Sequence, residues 1–159
     1  MGTRKKAAVE SLDAVAQQVD GFIEKFELAM TQRIRAVRAT LRKRFPTGIE
    51  LVYDNYNFFV IGYSTTERPS DCIVSLAANS KGVGLSFYYG ADLPDPHGIL
   101  EGSGTQNRFV RLVEGAATLK DPRVEELIRA AVDNAKTPLP KAKGYTVVRS
   151  ISAKQRPRR

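Results

Sequence analysis

From residue 22 to residue 45 the chain carries one continuous apolar stripe at helical spacing. Ile23, Phe26, Met30, Ile34, Val37, Leu41 and Phe45 succeed one another in steps of three or four, the repeat that keeps side chains on one face of an α-helix. A helix of this kind does not bury its stripe alone and demands a second layer to pack on. Arg42, Lys43 and Arg44 crowd its last turn, where cations complement the negative helix end, and Pro46 and Gly48 stop it. The spacing also admits a break near residues 28–31, giving two helices in place of one. Upstream, Val9, Leu12, Val15, Ala16 and Val19 predict an amphipathic helix over 8–20, ended by Gly21, with Asp20 placed to cap the next helix.

After Gly48 the period changes to that of strands. Segments 49–53, 56–63, 71–78, 83–89 and 108–113 read as five strands, with a hairpin turn at Asn79-Ser80-Lys81-Gly82. In the fourth, Val83, Leu85 and Phe87 alternate with Gly84, Ser86 and Tyr88. Asp121-Pro122 then opens a helix with an N-cap and a proline at its first position, and Val124, Leu127, Ile128, Ala131 and Val132 form its apolar face. Segment 145–151 is a further strand candidate. Short strands joined by short turns favour an antiparallel meander over crossover units. The expected fold class is α+β: an antiparallel sheet of five to six strands packed against N-terminal and C-terminal helices, a two-layer sandwich with one sheet face covered. The expected organisation is a helical extension over 1–20, a single α+β domain over 20–151, and a flexible basic tail over 152–159.

The hydrophobic fraction of 42% in 159 residues is enough for a real core. No apolar run reaches the about 20 residues that a bilayer span needs, and no apolar signal-peptide core comes after the basic start. Lys6 stands where a myristoylation signal wants Ser or Thr. These features predict a soluble cytoplasmic protein. The single cysteine, Cys72, excludes an intrachain disulfide and reads as a small buried hydrophobe. Of the net charge of +8, the excess of cations lies in residues 1–45 and 114–159, and the centre is mildly acidic. That balance points to nucleic acid or an acidic protein as partner.

Leu100 to Val113, LEGSGTQNRFVRLV, is the nearest approach to a ligand-binding device. Gly102 and Gly104 bracket a serine in a turn suited to positive φ. Ser103, Thr105, Asn107 and Arg108 are its candidate ligand-binding residues. No helix comes directly after it, so the turn does not match a phosphate or dinucleotide fingerprint. Together with the basic helix MTQRIRAVRATLRKRFP, the strands after it and the 121–135 helix, this stretch resembles the YdhG-like family, a domain of unknown function, over residues 20–135. The resemblance implies a frataxin-like sandwich of helices and antiparallel sheet. Some members of that family are linked to iron handling, which implies an acidic metal-binding surface.

No P-loop, HExxH, CxxC pair or GxSxG motif occurs, and neither a catalytic set nor a cofactor is expected. The reading is a small non-enzymatic binding or interaction module. Two alternatives stand beside it. One is iron handling, with Glu24 and Glu27 as ligands in the stripe Glu10, Asp13, Asp20, Glu24 and Glu27, since hard cations favour carboxylate oxygens. The other is non-specific nucleic-acid binding through Arg35, Arg38 and Arg42 on the helix and Lys154, Arg156, Arg158 and Arg159 in the tail. The aromatic residues of the strands are assigned mostly to the core. An uncovered sheet face would meet solvent, the C-terminal segment or a second subunit, the last making a homodimer.

Overall fold

The computed structural model describes the backbone from Gly2 to Arg159 and the side chains from Leu12 onward; the side chains of Val9 and Glu10 lie outside the described residues. The first helix, α1, spans Gly2–Ile23, and the second, α2, spans Leu28–Arg44. The chain therefore breaks at 24–27, not at Gly21. A Cβ on Gly21 would meet nothing within 4 Å, while its neighbours Val19, Phe22 and Ile23 are buried. Burying those three side chains outweighs the about 1 kcal/mol that glycine costs inside a helix. Thr31 closes the break by directing its hydroxyl at the carbonyls of Ile23 and Phe26, at 3.2 and 3.3 Å.

Six strands come next: β1 (Ile49–Asp54), β2 (Phe59–Ser64), β3 (Cys72–Asn79), β4 (Gly82–Phe87), β5 (Arg108–Arg111) and β6 (Thr146–Ile151). They form one sheet in the order β5-β4-β3-β2-β1-β6. The first five are a meander of antiparallel neighbours. β6 departs from the expected pattern, because it returns after the third helix, α3 (Pro122–Asp133), and lies parallel to β1. The sheet is thus mixed. A parallel neighbour needs a long crossover, and α3 with residues 134–145 provides it. The α+β class with helices layered on a sheet holds.

One sheet face carries the core. Ile34, Val37 and Leu41 of α2 and Val124, Leu127 and Ile128 of α3 pack with Ile61, Leu76, Leu85 and Phe87 in one buried cluster. α1 joins it through Phe22, whose ring lies 6.2 Å from that of Phe59. Strand alternation sends the opposite residues, among them Val60, Ser75, Ala77, Gly84, Ser86 and Phe109, to the other face. Toward β1 and β6 that face holds a second, smaller buried cluster of Ile49, Leu51 and Cys72 with Tyr53 and Val147 packed on it; over β3, β4 and β5 it is open among the described residues. Among the described residues, no helix is long and apolar enough to cross a membrane.

The segment 152–159 is not a free tail. Ser152 and Arg156 donate backbone hydrogen bonds to the carbonyls of Asp54 and Tyr56, at 2.9 Å each. Arg158 is buried, with its guanidinium 3.0 Å from the Asp54 carboxylate. The reason is charge. Asp54 points from β1 into the helical layer, where its side chain is fully buried, and Lys25 and Arg158 close on it from two sides.

Candidate functional site

The uncovered face of the sheet forms a concave groove of about 850 Å³. Its floor is small side chains in cross-strand register. Ala77 of β3 lies opposite Gly84 of β4, and Ser75 lies opposite Ser86. Its walls are aromatic: Tyr53 from β1, Phe58 from the turn before β2, Tyr88 after β4 and Phe109 on β5. Small residues in the middle and large rings at the sides make the surface concave. Phe58 and Tyr88 are about two-fifths exposed, at 43% and 40%, so rings of this size meet solvent on the face that lacks a covering layer.

The electrostatics of the groove are one-sided. Its lining includes Arg33, Lys81 and Arg111 and contains no aspartate or glutamate. Arg33 gives one guanidinium nitrogen to the Val113 carbonyl at 3.3 Å. Arg111 lies 3.4 Å from Glu101 outside the groove, and both are well exposed. Among the described residues the Lys81 ammonium has no carboxylate within ion-pairing distance and no side-chain hydrogen bond.

Three asparagines add to the donors. Asn79 Oδ1 accepts from the backbone N–H groups of Lys81 and Gly82, at 2.9 and 3.2 Å, as the hairpin turn requires. Asn107 Oδ1 accepts from the Ser86 hydroxyl at 2.7 Å, and Asn55 Oδ1 from that of Ser150 at 2.6 Å. In each the carbonyl oxygen is engaged, leaving the amide NH₂ as the open group. The Tyr53 hydroxyl is buried with no hydrogen-bond partner. Burial raises its pKa, aided by Cys72 nearby and opposed by Arg149; Arg149 is close enough to act by charge, though it makes no hydrogen bond of normal geometry.

The residues singled out from sequence are scattered by the fold. Of Ser103, Thr105, Asn107 and Arg108, only Asn107 lines the groove. Arg108 is a clamp on its own loop, donating from Nη1 to the carbonyls of Gly104 and Asn107 at 2.6 and 2.8 Å. Gly102 has the expected positive φ of 115°, whereas Gly104 does not. The turn reverses the chain before β5, and the Arg108 guanidinium is spent on the loop's own carbonyls.

The basic helix and tail are largely engaged within the molecule. Arg38 and Arg42 bind Glu50, which is buried on β1 and also takes hydrogen bonds from Tyr63 and Thr146. Burial pushes the Glu50 carboxyl up, but the Arg38 hydrogen bond and charge, with Thr146 and Arg42, outweigh it and hold the pKa below the usual range. Arg158 is held by Asp54, and Arg159 donates to the Lys25 carbonyl at 3.1 Å. Arg156 lies over the Tyr56 ring at 5.7 Å. Arg35 faces Asp20 and Glu24 at 3.9 and 3.7 Å. Lys154 alone of the seven is exposed with no partner among the described residues. These side chains were expected to be free for phosphates, but the buried carboxylates of β1 and the acidic side of α1 attract them first.

Glu24 and Glu27 belong to no converging cluster of carboxylates among the described residues, and the side chain of Glu10 in the same stripe lies outside them. Among the described residues no group of three or more His, Cys, Asp or Glu side chains converges. Glu24 has the Arg35 guanidinium beside it, and Glu27 occupies the N-cap position of α2 with no side-chain bond. A second cavity of about 330 Å³, at the end of α3, contains Asp71. That carboxylate is already bound by Thr66 and Arg68.

Sequence reasoning missed the groove because it assigned the strand aromatics to the core. The available signal was the alternation in β4, where Gly84, Ser86 and Tyr88 share a face opposite the apolar set. In comparison with known proteins, no family model, curated protein or solved structure matches the chain.

Proposed function

We propose that this protein is a non-enzymatic binding module that receives its ligand on the open face of the sheet. One observation carries the reading: a groove of about 850 Å³ with a floor of small residues, aromatic walls and three cations, and no carboxylate in its lining. Exposed apolar surface gathered in a concavity marks binding surfaces. With Arg111 paired to Glu101 at the rim, the charge of Arg33 and Lys81 has no carboxylate partner among the described residues and selects an anionic ligand. The order helix, strands, helix supports kinship with the YdhG-like family as a proposal about the fold. Glu24 and Glu27 lend its metal-handling side no support.

Anilinonaphthalene sulfonate, a flat apolar probe with one negative charge, tests the reading on the folded full chain. Saturable fluorescence enhancement is expected, and it is lost in Ala77→Trp, which fills the floor, and weakened in Arg111→Glu. Cooperative unfolding of each variant establishes that the fold is intact. No saturable binding to the wild type, or equal binding by folded Ala77→Trp, overturns the proposal.

A further inference from the structure

We infer that the ligand of this face is single-stranded nucleic acid, an inference that rests on the binding-module reading above. Three independent properties of the groove have to be matched by one occupant. Arg33 and Lys81, which have no carboxylate within ion-pairing distance among the described residues, require negative charge, and Arg111 adds to that requirement beside its exposed partner Glu101. The amide nitrogens of Asn55, Asn79 and Asn107, whose oxygens are engaged, require hydrogen-bond acceptors. The rings of Tyr53, Phe58, Tyr88 and Phe109 require flat apolar groups. A phosphodiester strand with unpaired bases brings all three, because phosphates supply the charge, base edges the acceptors and base faces the stacking surface.

Geometry and charge argue against the other occupants. β1 and β5 are separated by four strand-to-strand steps, which at about 4.8 Å each is about 19 Å, the length of a few extended nucleotides. A duplex keeps its bases stacked inside and offers the rings nothing to stack on. An acidic peptide supplies charge and acceptors but no regular series of flat groups. A second copy, placed by a two-fold axis on the same face, would bring the cations of one groove against those of the other with no lining carboxylate to receive them.

The inference differs from recognition through the basic helix and tail. The floor of the interface lies on the sheet face turned away from α2, and its cations are Lys81 of the 79–82 hairpin, Arg111 of β5 and Arg33, which reaches from α2 to the Val113 carbonyl just after β5.

Fluorescence anisotropy of a labelled oligothymidylate and oligouridylate of about 12 nucleotides tests it. Low-salt binding that weakens with added salt is expected. Tyr88→Ala and Phe109→Ala each weaken it about tenfold, in line with the loss of one stacked base, and Arg111→Glu weakens it further and lowers the salt slope. Arg35→Glu and Lys154→Glu leave it within about twofold. Four outcomes overturn the inference: no binding of either oligomer, equal or tighter binding of a duplex of the same length, tighter binding of polyglutamate, or loss through Arg35→Glu and Lys154→Glu with the groove variants unaffected. If the dye enters the groove and is blocked by Ala77→Trp while the oligomers do not bind, this inference fails and the binding-module reading stands. If neither probe binds, both fail.

Discussion

Arg158, next to last in the chain, donates from Nη2 to Oδ1 of Asp54 at 3.0 Å across 104 positions of sequence. The Asp54 side chain is fully buried and that of Arg158 is 3% exposed. Lys25 reaches the second carboxylate oxygen at 2.6 Å. The end of the chain is therefore fastened to β1 and to the α1–α2 connection through one carboxylate. Arg158→Ala removes one of two cations from a buried anion, and breaking such a pair is costly. A loss of about 3 kcal/mol is expected in urea unfolding of the full chain. Deleting 152–159 should lose at least as much. A change below about 0.5 kcal/mol in both variants would mean that the strap does not hold.

Asp54 and Glu50, the two buried carboxylates of β1, set an acid limit on stability. Burial alone would raise the pKa of Asp54, but hydrogen bonds from Lys25, Gln155 and Arg158 bring it below its ordinary value of 3.8. Glu50 is likewise held below 4.5. A carboxyl with a depressed folded pKa stabilises fully above the unfolded value and loses that contribution as pH falls through the folded one. Stability is thus expected to be flat for these groups from pH 7 to about 5 and to drop below about 4. Glu50→Gln should be less stable at pH 7 and show a shallower acid slope. An unchanged slope in equilibrium unfolding between pH 5 and 3 contradicts the assignment.

Gly62 and Cys72 share one small space. A Cβ on Gly62 would stand 2.6 Å from the Cys72 Sγ and 3.1 Å from the Ser75 Oγ. Gly62→Ala therefore overpacks the sheet and should cost about 2 kcal/mol. Shortening the neighbour in Gly62→Ala/Cys72→Ala should recover more than half of it, because the Sγ contact is the tightest one. Additive losses in the double mutant would place the strain elsewhere.

Burial raises the pKa of the Cys72 thiol to about 11. At pH 8 it is almost wholly protonated, and a thiol is a poor nucleophile. Native protein should react with iodoacetamide far more slowly than protein unfolded in urea. Equal rates would show that Cys72 is exposed on the groove side.

The loop at residues 102–107 should be separable from binding. Arg108→Ala frees the carbonyls of Gly104 and Asn107, and faster amide hydrogen exchange is expected there. Dye binding in the groove should stay at the wild-type level, because the Arg108 guanidinium serves the loop. A strong loss of dye binding would restore Arg108 as a ligand contact.

Periodicity alone determined most of the elements. The stripe from Ile23 to Phe45, the alternation of Val83, Leu85 and Phe87, and the Asp121-Pro122 cap each arise from local geometry, so α2, β4 and α3 were legible in the sequence. Tertiary structure decided what local pattern does not encode. Gly21 stays helical because Val19, Phe22 and Ile23 are buried around it. β6 runs parallel because strand direction depends on which edge the returning chain reaches. Arg38, Arg42 and Arg158 read as free cations until folding placed Glu50 and Asp54 within reach, since a charge is free or paired only with respect to neighbours distant in sequence. The groove has the same origin: Tyr53, Ala77, Gly84, Tyr88 and Phe109 come from four strands and the end of one of them, and only sheet register puts them on one uncovered face.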